Sequence, residues 1–523
     1  MKIKNLSSFF KNSYSFWFIL IFFFASSFRL FFLNLVEFKF DEAFTVFELS
    51  NFFSNPYLMQ QGPIQSTGVY NFPFYNYLMI ILSLPSRNPL FLSFIIALIN
   101  SFSIAVFYLV VRRFYGNFVA IISSIIIAFS PWSILLSRKI WIPDLILPFI
   151  VLSFYFFHKL LIKNNEKSTF LLFFFLSLLF QLHATGIFFT IAFVLILFLL
   201  KKKFSFKYSL LGFGTGFIFG IPYFIKQVFS NPFCIDCISF FNYQKTLRPF
   251  DIYNFLRPFQ LIGGLNFNSI MGSDYNVFIN SSFFMSFINY IFITEALFIF
   301  LGIYYILRFK TKYFYLILIL FFIPFFYFIS RTPSYTQYFA SIIPISALIF
   351  AFSFKYLFSF KNNFLKTLTI IIFIIFILSN VFFELSFYNF LGKKEIINGD
   401  YGPIFSKTEK LVATSIQPYV FSPYYSELKS YIYMFADKKI IHGRIGYFLM
   451  QKGDVNYAVN EFDKSLKVNN NDVFARANLV YIYILNNKYD SAESELQILE
   501  KQDSTASAAL KNILHQSKLN QTR

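Results

Sequence analysis

Apolar runs separated by short polar connections dominate the chain. Many of them reach 17 to 24 residues without a charged side chain, the length a helix needs, at about 1.5 Å per residue, to cross roughly 30 Å of hydrocarbon. The pattern predicts spanning helices near residues 15–34, 90–111, 118–136, 143–162, 168–182, 185–200, 208–225, 284–307, 313–330, 335–355 and 367–383, eleven in all. Helices satisfy their own backbone groups in lipid, and the alternating ten-residue segments of a β-barrel do not occur. The fold class expected is an all-α polytopic membrane protein. Two stretches strain the count. Residues 71–85, NFPFYNYLMIILSLP, are apolar but short, and are expected to lie in the interface or to extend a tilted helix. Residues 168–200 either divide into two short helices around QLHATG or form one long tilted helix.

Charge then orients the helices. Lys and Arg number 45 against 25 Asp and Glu, a net charge of +20. In a soluble chain that would suggest nucleic acid. Here the basic residues fall in the N-terminus and in RRFYG at 112, KNNEK at 163, KKKFSFK at 201, RFKTK at 308 and KYLFSFKNNFLK at 355. Eleven helices put all of these on one face, which the positive-inside rule makes cytoplasmic. Nucleic acid is therefore not an expected partner. The first apolar run is too long for a signal-peptide core and reads as a retained helix.

The opposite face collects the remaining polar features. They are Asp41 and Glu42 in a long first loop (35–89), SRKIWIPD (137–144), QLHATG (181–186), the loop 226–283 and SRTPSYTQYFASIIP (330–344). An outward-facing cavity at the membrane boundary is expected, in a membrane domain of residues 1–383. Residues 384–440 read as an extracytoplasmic connecting segment, and 441–523 as a small helical tail. In that tail GDVNYAVNEFDKSLKV and NKYDSAESELQILEKQ place Ala458 over Ala492, a period of 34 residues, as in tetratricopeptide repeats. Gly446, Ala458 and Phe462 take the small, small and large positions, while Asn470 stands where a proline is usual. Two repeats are fewer than a free-standing solenoid needs, so the tail is expected to pack on residues 384–440 or to bind a protein partner.

The candidate chemistry has ordinary alternatives. Asp41 and Glu42 could be solvated loop residues or an N-cap for EAFTVFELSNFF. That segment, with Phe44, Phe47, Leu49 and Phe52 on one side, also suits a helix lying in the membrane surface, where a partly desolvated Asp41 can act as a general base. Arg29, inside the first helix, either binds a lipid phosphate or pairs with a nearby acid. Arg138 and Lys139 form a basic doublet on the side where the positive-inside rule disfavours one, suited to a phosphate or to plain headgroup contact. His183 is a packing residue or a catalytic or metal ligand. A divalent metal is left open, because it requires Asp41, Glu42, Asp144 and His183 to converge. Cys234 and Cys237 in CIDC read as a local disulfide. No nucleotide-binding loop or serine-hydrolase elbow is evident.

FRLFFLNL followed by FDEAFTV resembles the opening of GT-C integral-membrane glycosyltransferases, in particular family 39, the dolichyl-phosphate-mannose protein mannosyltransferase-like group. GVYNFPFYNYLM, FYLVVRRFYG, SPWSILLSRKIWIPD, QLHATG and YTQYFASIIPISALIF follow in the family's order, so the resemblance covers roughly residues 15–383. The family's double proline is replaced here by Phe72-Pro73-Phe74. The resemblance implies transfer of a sugar from a polyprenyl-phosphate-linked donor to an extracytoplasmic acceptor, with Asp41 as general base or acceptor-orienting group and Glu42 beside it. It also implies donor-phosphate contacts from Arg138, Lys139 and Arg331, and a cavity including Arg29, Asp144, His183, Tyr335 and Tyr338. The enzyme would sit in the plasma membrane with its N-terminus cytoplasmic and its active site and tail outside. The competing class is a transporter or flippase of lipid-linked sugars, which would show an internal repeat or functional charges in both leaflets.

Overall fold

The computed structural model describes residues 14–64, 70–162, 165–183, 185–230 and 249–521. Cys234 and Cys237, and with them the expected disulfide, lie outside the described residues. All regular elements among the described residues are helices, and packing divides the chain into two compact units, residues 1–37 with 57–402 and residues 38–56 with 403–523.

In the first unit each of the eleven expected spans has a helical counterpart. Among the described residues, six helices are long and apolar enough to cross a membrane by length and composition: Pro89–Tyr115, Phe206–Lys226, Phe283–Phe309, Thr311–Ile329, Thr336–Ser359 and Asn363–Lys394. Their ends follow from local chemistry. Pro89–Tyr115 begins with proline in its first turn and the Asn88 side chain accepting the Leu90 N–H, and it ends with Arg112 and Arg113 ahead of Gly116 at φ 95°, a conformation that suits glycine. Ile343–Ser359 buries every residue from Ile343 to Phe354, as a helix enclosed on all sides must. The uncertain 71–85 stretch forms only the ten-residue helix Phe74–Ser83, about 15 Å long.

Residues 168–200 form two helices, Glu166–Leu182 and Thr185–Leu199. A Cβ on Gly186, in the second of these helices, would meet the Phe180 nitrogen at 2.5 Å. A further glycine pattern joins Glu166–Leu182 to the helix Phe206–Gly216. Added Cβ atoms would fall 2.2 Å from the Phe170 carbonyl oxygen at Gly212 and 2.7 Å from that of Phe174 at Gly216. This small-xxx-small stripe lets the two backbones touch, and the Gln181 amide adds a hydrogen bond to the Gly216 carbonyl at 2.7 Å.

The Asn363–Lys394 helix runs beyond the expected end at residue 383. Nothing in ELSFYNFLGKK breaks it until Glu395, at φ 61°, and Lys393 and Lys394 complement the helix dipole in its last turn. The extra turns carry Glu384 and Tyr388, both buried.

In the second unit, the first-loop helix Phe40–Ser54 packs on the helix Tyr425–Tyr433. Its buried face, Glu42, Ala43, Thr45, Val46, Leu49 and Ser50, repeats every three to four residues and meets protein. Beyond it, Ile441–Gln451, Val455–Val468, Val473–Leu485, Tyr489–Gln502 and Ser504–Gln521 each pack against the next. At the positions expected to be small, small and large, a Cβ on Gly446 would meet the Ala458 carbonyl oxygen and the Phe462 ring at 3.0 Å. Val480, Ala492, Leu496 and Leu499 form the next core layer.

Candidate active site

The doublet at 138–139 sits in a turn held by one carboxylate. Asp144, fully buried, accepts the backbone N–H of Arg138 at 2.8 Å and of Lys139 at 2.9 Å through the same Oδ2. Asn100 donates to the Asp144 carbonyl at 2.6 Å and to that of Ser137 at 3.2 Å. Asp144 is thus the residue that shapes the turn. The side chains it presents are themselves buried. Arg138 donates to the Tyr388 hydroxyl and to the carbonyls of Phe31 (3.0 Å) and Phe32 (2.8 Å). Lys139 forms an ion pair with Glu37 and lies over the Trp141 ring, 3.9 Å from its centroid.

These contacts surround a narrow cleft lined by Glu37, Arg138, Lys139, Glu384, Tyr388 and Tyr401 among others. The Tyr388 hydroxyl donates to the Phe28 carbonyl at 3.1 Å, and Tyr401 donates to the Leu35 carbonyl at 2.8 Å. Sequence reasoning missed Glu37, Glu384, Tyr388 and Tyr401. Glu384 and Tyr388, one turn apart beyond an apolar span, are the signal that could have found two of them.

Arg29 is fully buried and spent on backbone. Its guanidinium donates to the carbonyls of Ala25 (3.1 Å), Ala128 (3.2 Å) and Ser133 (3.2 Å), and to the Ser133 hydroxyl at 2.8 Å. Ala128 lies in the last turn of Asn117–Phe129, where orphan carbonyls and the negative helix end favour a cation. In this position it caps the helix end.

A second polar group forms around 331–338. The Thr336–Ile342 turn packs on the Ile142–Leu145 turn that carries Asp144. The loop before it is pinned by Asp251, which accepts the Ser334 N–H at 2.9 Å, by Arg257 donating to the Ser334 carbonyl at 2.6 Å and by Asn254 donating to that of Thr332 at 3.1 Å. Burial alone would push the Asp251 carboxyl up, but hydrogen bonds from Ser334 and the Tyr253 N–H, with the charge of Arg257, hold it below its ordinary value. Arg331, at φ 54°, lies over the Phe250 ring, 4.6 Å from the centroid. His183 stands 5.7 Å from Tyr338 between ring centroids, as does Tyr335, and Tyr335 is exposed.

In the second unit the adjacent carboxylates divide their work. Glu42 is buried and accepts the Lys39 N–H at 3.1 Å, which closes the start of the Phe40–Ser54 helix. Asp41 is exposed in the first helical turn. Among the described residues, no group of three or more His, Cys, Asp and Glu side chains is placed to hold a metal ion.

Fold and site define an all-helical integral membrane protein in which polar clusters are built into helix ends and the turns between helices. Residues 73–225 match the family model described as dolichyl-phosphate-mannose-protein mannosyltransferase, which agrees with the family and enzyme class that the sequence resembles. No curated protein matches the chain. Among solved structures it is similar to ArnT from Cupriavidus metallidurans bound to undecaprenyl phosphate, at 11% identity and TM-score 0.46, over 86% of this chain and 76% of that one. The apo state of the same protein gives 13% identity and TM-score 0.42, over 86% and 75%. The oligosaccharyltransferase of Archaeoglobus fulgidus, tethered to an acceptor peptide, gives 15% and 0.45, over 82% of this chain and 59% of that chain.

Proposed function

We propose that this protein transfers a sugar from a polyprenyl-phosphate-linked donor to an extracytoplasmic acceptor, a glycan, lipid or protein. The observation that carries the reading is the division of labour at the first loop, where Glu42 closes the helix and Asp41 is left exposed in its first turn. The family match over 73–225 supports the donor class. Asp41 takes the proton of the acceptor hydroxyl as its oxygen bonds to the sugar C1. The bond from C1 to the phosphate oxygen breaks, and the lipid phosphate leaves as an anion. Such proton transfer contributes about 10²–10⁴-fold.

Arg331, outside the buried doublet, meets the donor phosphate. Arg138 and Lys139 act on it through position, since their charged groups are engaged by Tyr388 and Glu37. The same reading keeps the N-terminus cytoplasmic and the site and tail outside, a placement supported by the basic connections.

The test is transfer of radiolabelled sugar from a panel of polyprenyl-phosphate sugars in membranes, comparing wild type with Asp41→Asn at matched expression. Label entering lipid, glycan or protein only with wild type is expected. Equal label with Asp41→Asn removes Asp41 from the mechanism. No transfer by either protein across the panel overturns the enzyme reading in favour of a lipid-linked-sugar transporter.

A further inference from the structure

The helix bearing Asp41 packs with residues from the far end of the chain. Phe38, 1% exposed, lies between the rings of Phe405 and Tyr433, at centroid distances of 5.1 and 5.2 Å. Its N–H donates to the Pro403 carbonyl at 3.1 Å, and its own carbonyl accepts from the Thr408 hydroxyl at 3.4 Å. About two turns into the helix, Phe47 meets Tyr431 at 5.8 Å. Tyr431 in turn packs on Phe448, at 5.5 Å, in the first helix of the repeat-like tail. Glu409 braces this aromatic clasp, accepting from the Tyr433 hydroxyl and from Lys429 at 2.6 Å.

From this packing we infer that the C-terminal unit is a positioning device for catalysis: Phe405, Tyr431 and Tyr433 fix the orientation of the Phe40–Ser54 helix and, through it, the Asp41 carboxylate. The inference rests on the proposed role of Asp41. A 15-residue helix inserted in a long loop has little reason to hold one orientation by itself, because short isolated helices are marginal in water. The buried stripe from Ala43 to Ser50 supplies the face, and Tyr425–Tyr433 supplies what covers it. A general base works only when held within hydrogen-bond reach of its proton, and a displacement of about 1 Å can cost about 10²-fold in rate. The C-terminal unit would thus act on turnover from positions such as Tyr431, 390 residues beyond Asp41 in sequence.

The experiment uses the full-length protein in membranes and has two independent readouts. Phe47→Cys with Tyr431→Cys, in a Cys234→Ser and Cys237→Ser background, is treated with a short bis-maleimide; intramolecular cross-linking is expected. In parallel, Tyr431→Ala is expected to lower kcat about 10- to 100-fold while donor KM stays within about twofold, and Tyr431→Phe, which keeps the ring, restores kcat. Failure to cross-link overturns the clasp. Cross-linking with unchanged kcat in Tyr431→Ala, or a loss confined to KM, overturns the positioning role. Because cross-linking needs no substrate, it reads the clasp even if wild type transfers nothing. That last result overturns the reading of Asp41 and the catalytic half of this inference, while leaving the contact established.

Discussion

The guanidinium of Arg138 lies over the ring of Tyr388, its central carbon 4.9 Å from the ring centroid, and also donates to that residue's hydroxyl. Two residues 250 positions apart thus share a cation–π contact and a hydrogen bond, and the second donates in turn to the Phe28 carbonyl. Tyr388→Phe keeps the ring contact and removes both hydrogen bonds. It is expected to cost about 1–3 kcal/mol, read as a lower thermal midpoint of the purified protein in detergent. Arg138→Lys is expected to cost more, since an ammonium can neither stack flat nor reach the two carbonyls at once.

The Lys139–Glu37 pair is almost free of solvent, at 8% and 5% side-chain exposure. Removing one partner strands the other charge, so Lys139→Met alone is expected to destabilise by about 3–5 kcal/mol. Glu37→Leu combined with Lys139→Met should regain most of that loss. A double-mutant cycle on thermal stability checks it, and additive losses would mean that the pair is uncoupled.

Neighbouring glycines in one helix provide an internal control. Gly212→Ala places a methyl 2.2 Å from the Phe170 carbonyl oxygen, whereas a Cβ on Gly214 meets nothing within 4 Å. Gly212→Ala is expected to destabilise by about 1–3 kcal/mol. Gly214→Ala should be neutral or stabilising by up to about 1 kcal/mol through helix propensity. Equal effects would show that the two helices are not in backbone contact.

Acid should weaken the tail at one identifiable carboxylate. Burial by itself would raise the Glu461 pKa, but hydrogen bonds from His442 (2.7 Å), Lys464 (2.6 Å) and Tyr419 (2.8 Å) outweigh it and hold it below the ordinary value. A carboxyl more acidic in the folded than in the unfolded state stabilises above its unfolded pKa, and the contribution is lost as pH falls through the folded one. Thermal midpoints measured downward from pH 6 should therefore drop more steeply in wild type than in Glu461→Gln. Parallel curves would exclude the linkage.

The removal of Asp41's charge is expected to act on rate and not on stability, because the group is exposed. Asp41→Asn should reduce transfer by about 10²–10⁴-fold with a thermal midpoint unchanged from wild type. A clear fall in that midpoint would instead make Asp41 a structural residue.

Much of the architecture is written in local pattern. Charge-free runs fix where helices form because in lipid no other backbone conformation satisfies its own polar groups, and helical elements appear at all eleven places. The start of Phe74–Ser83 follows from Pro73, whose backbone constraint acts within a few residues. The Gly212-x-x-x-Gly216 spacing was present as well, and its meaning required only the rule that small residues let helices approach.

The sequence by itself determined the class, an all-helical membrane protein, since hydrophobic periodicity is a short-range effect, and it offered the start of a helix as one of two places for the carboxylate pair. It could not determine what the charged residues do. Whether Arg29 meets a phosphate or the carbonyls of Ala128 and Ser133, whether Lys139 is open or paired with Glu37, and whether Phe40–Ser54 rests on lipid or on Tyr425–Tyr433 depend on partners about 100 to nearly 400 residues away. Only the tertiary structure decided these, because a buried charge or an apolar face takes whichever partner packing brings within a few ångströms, and local sequence carries no record of that distance.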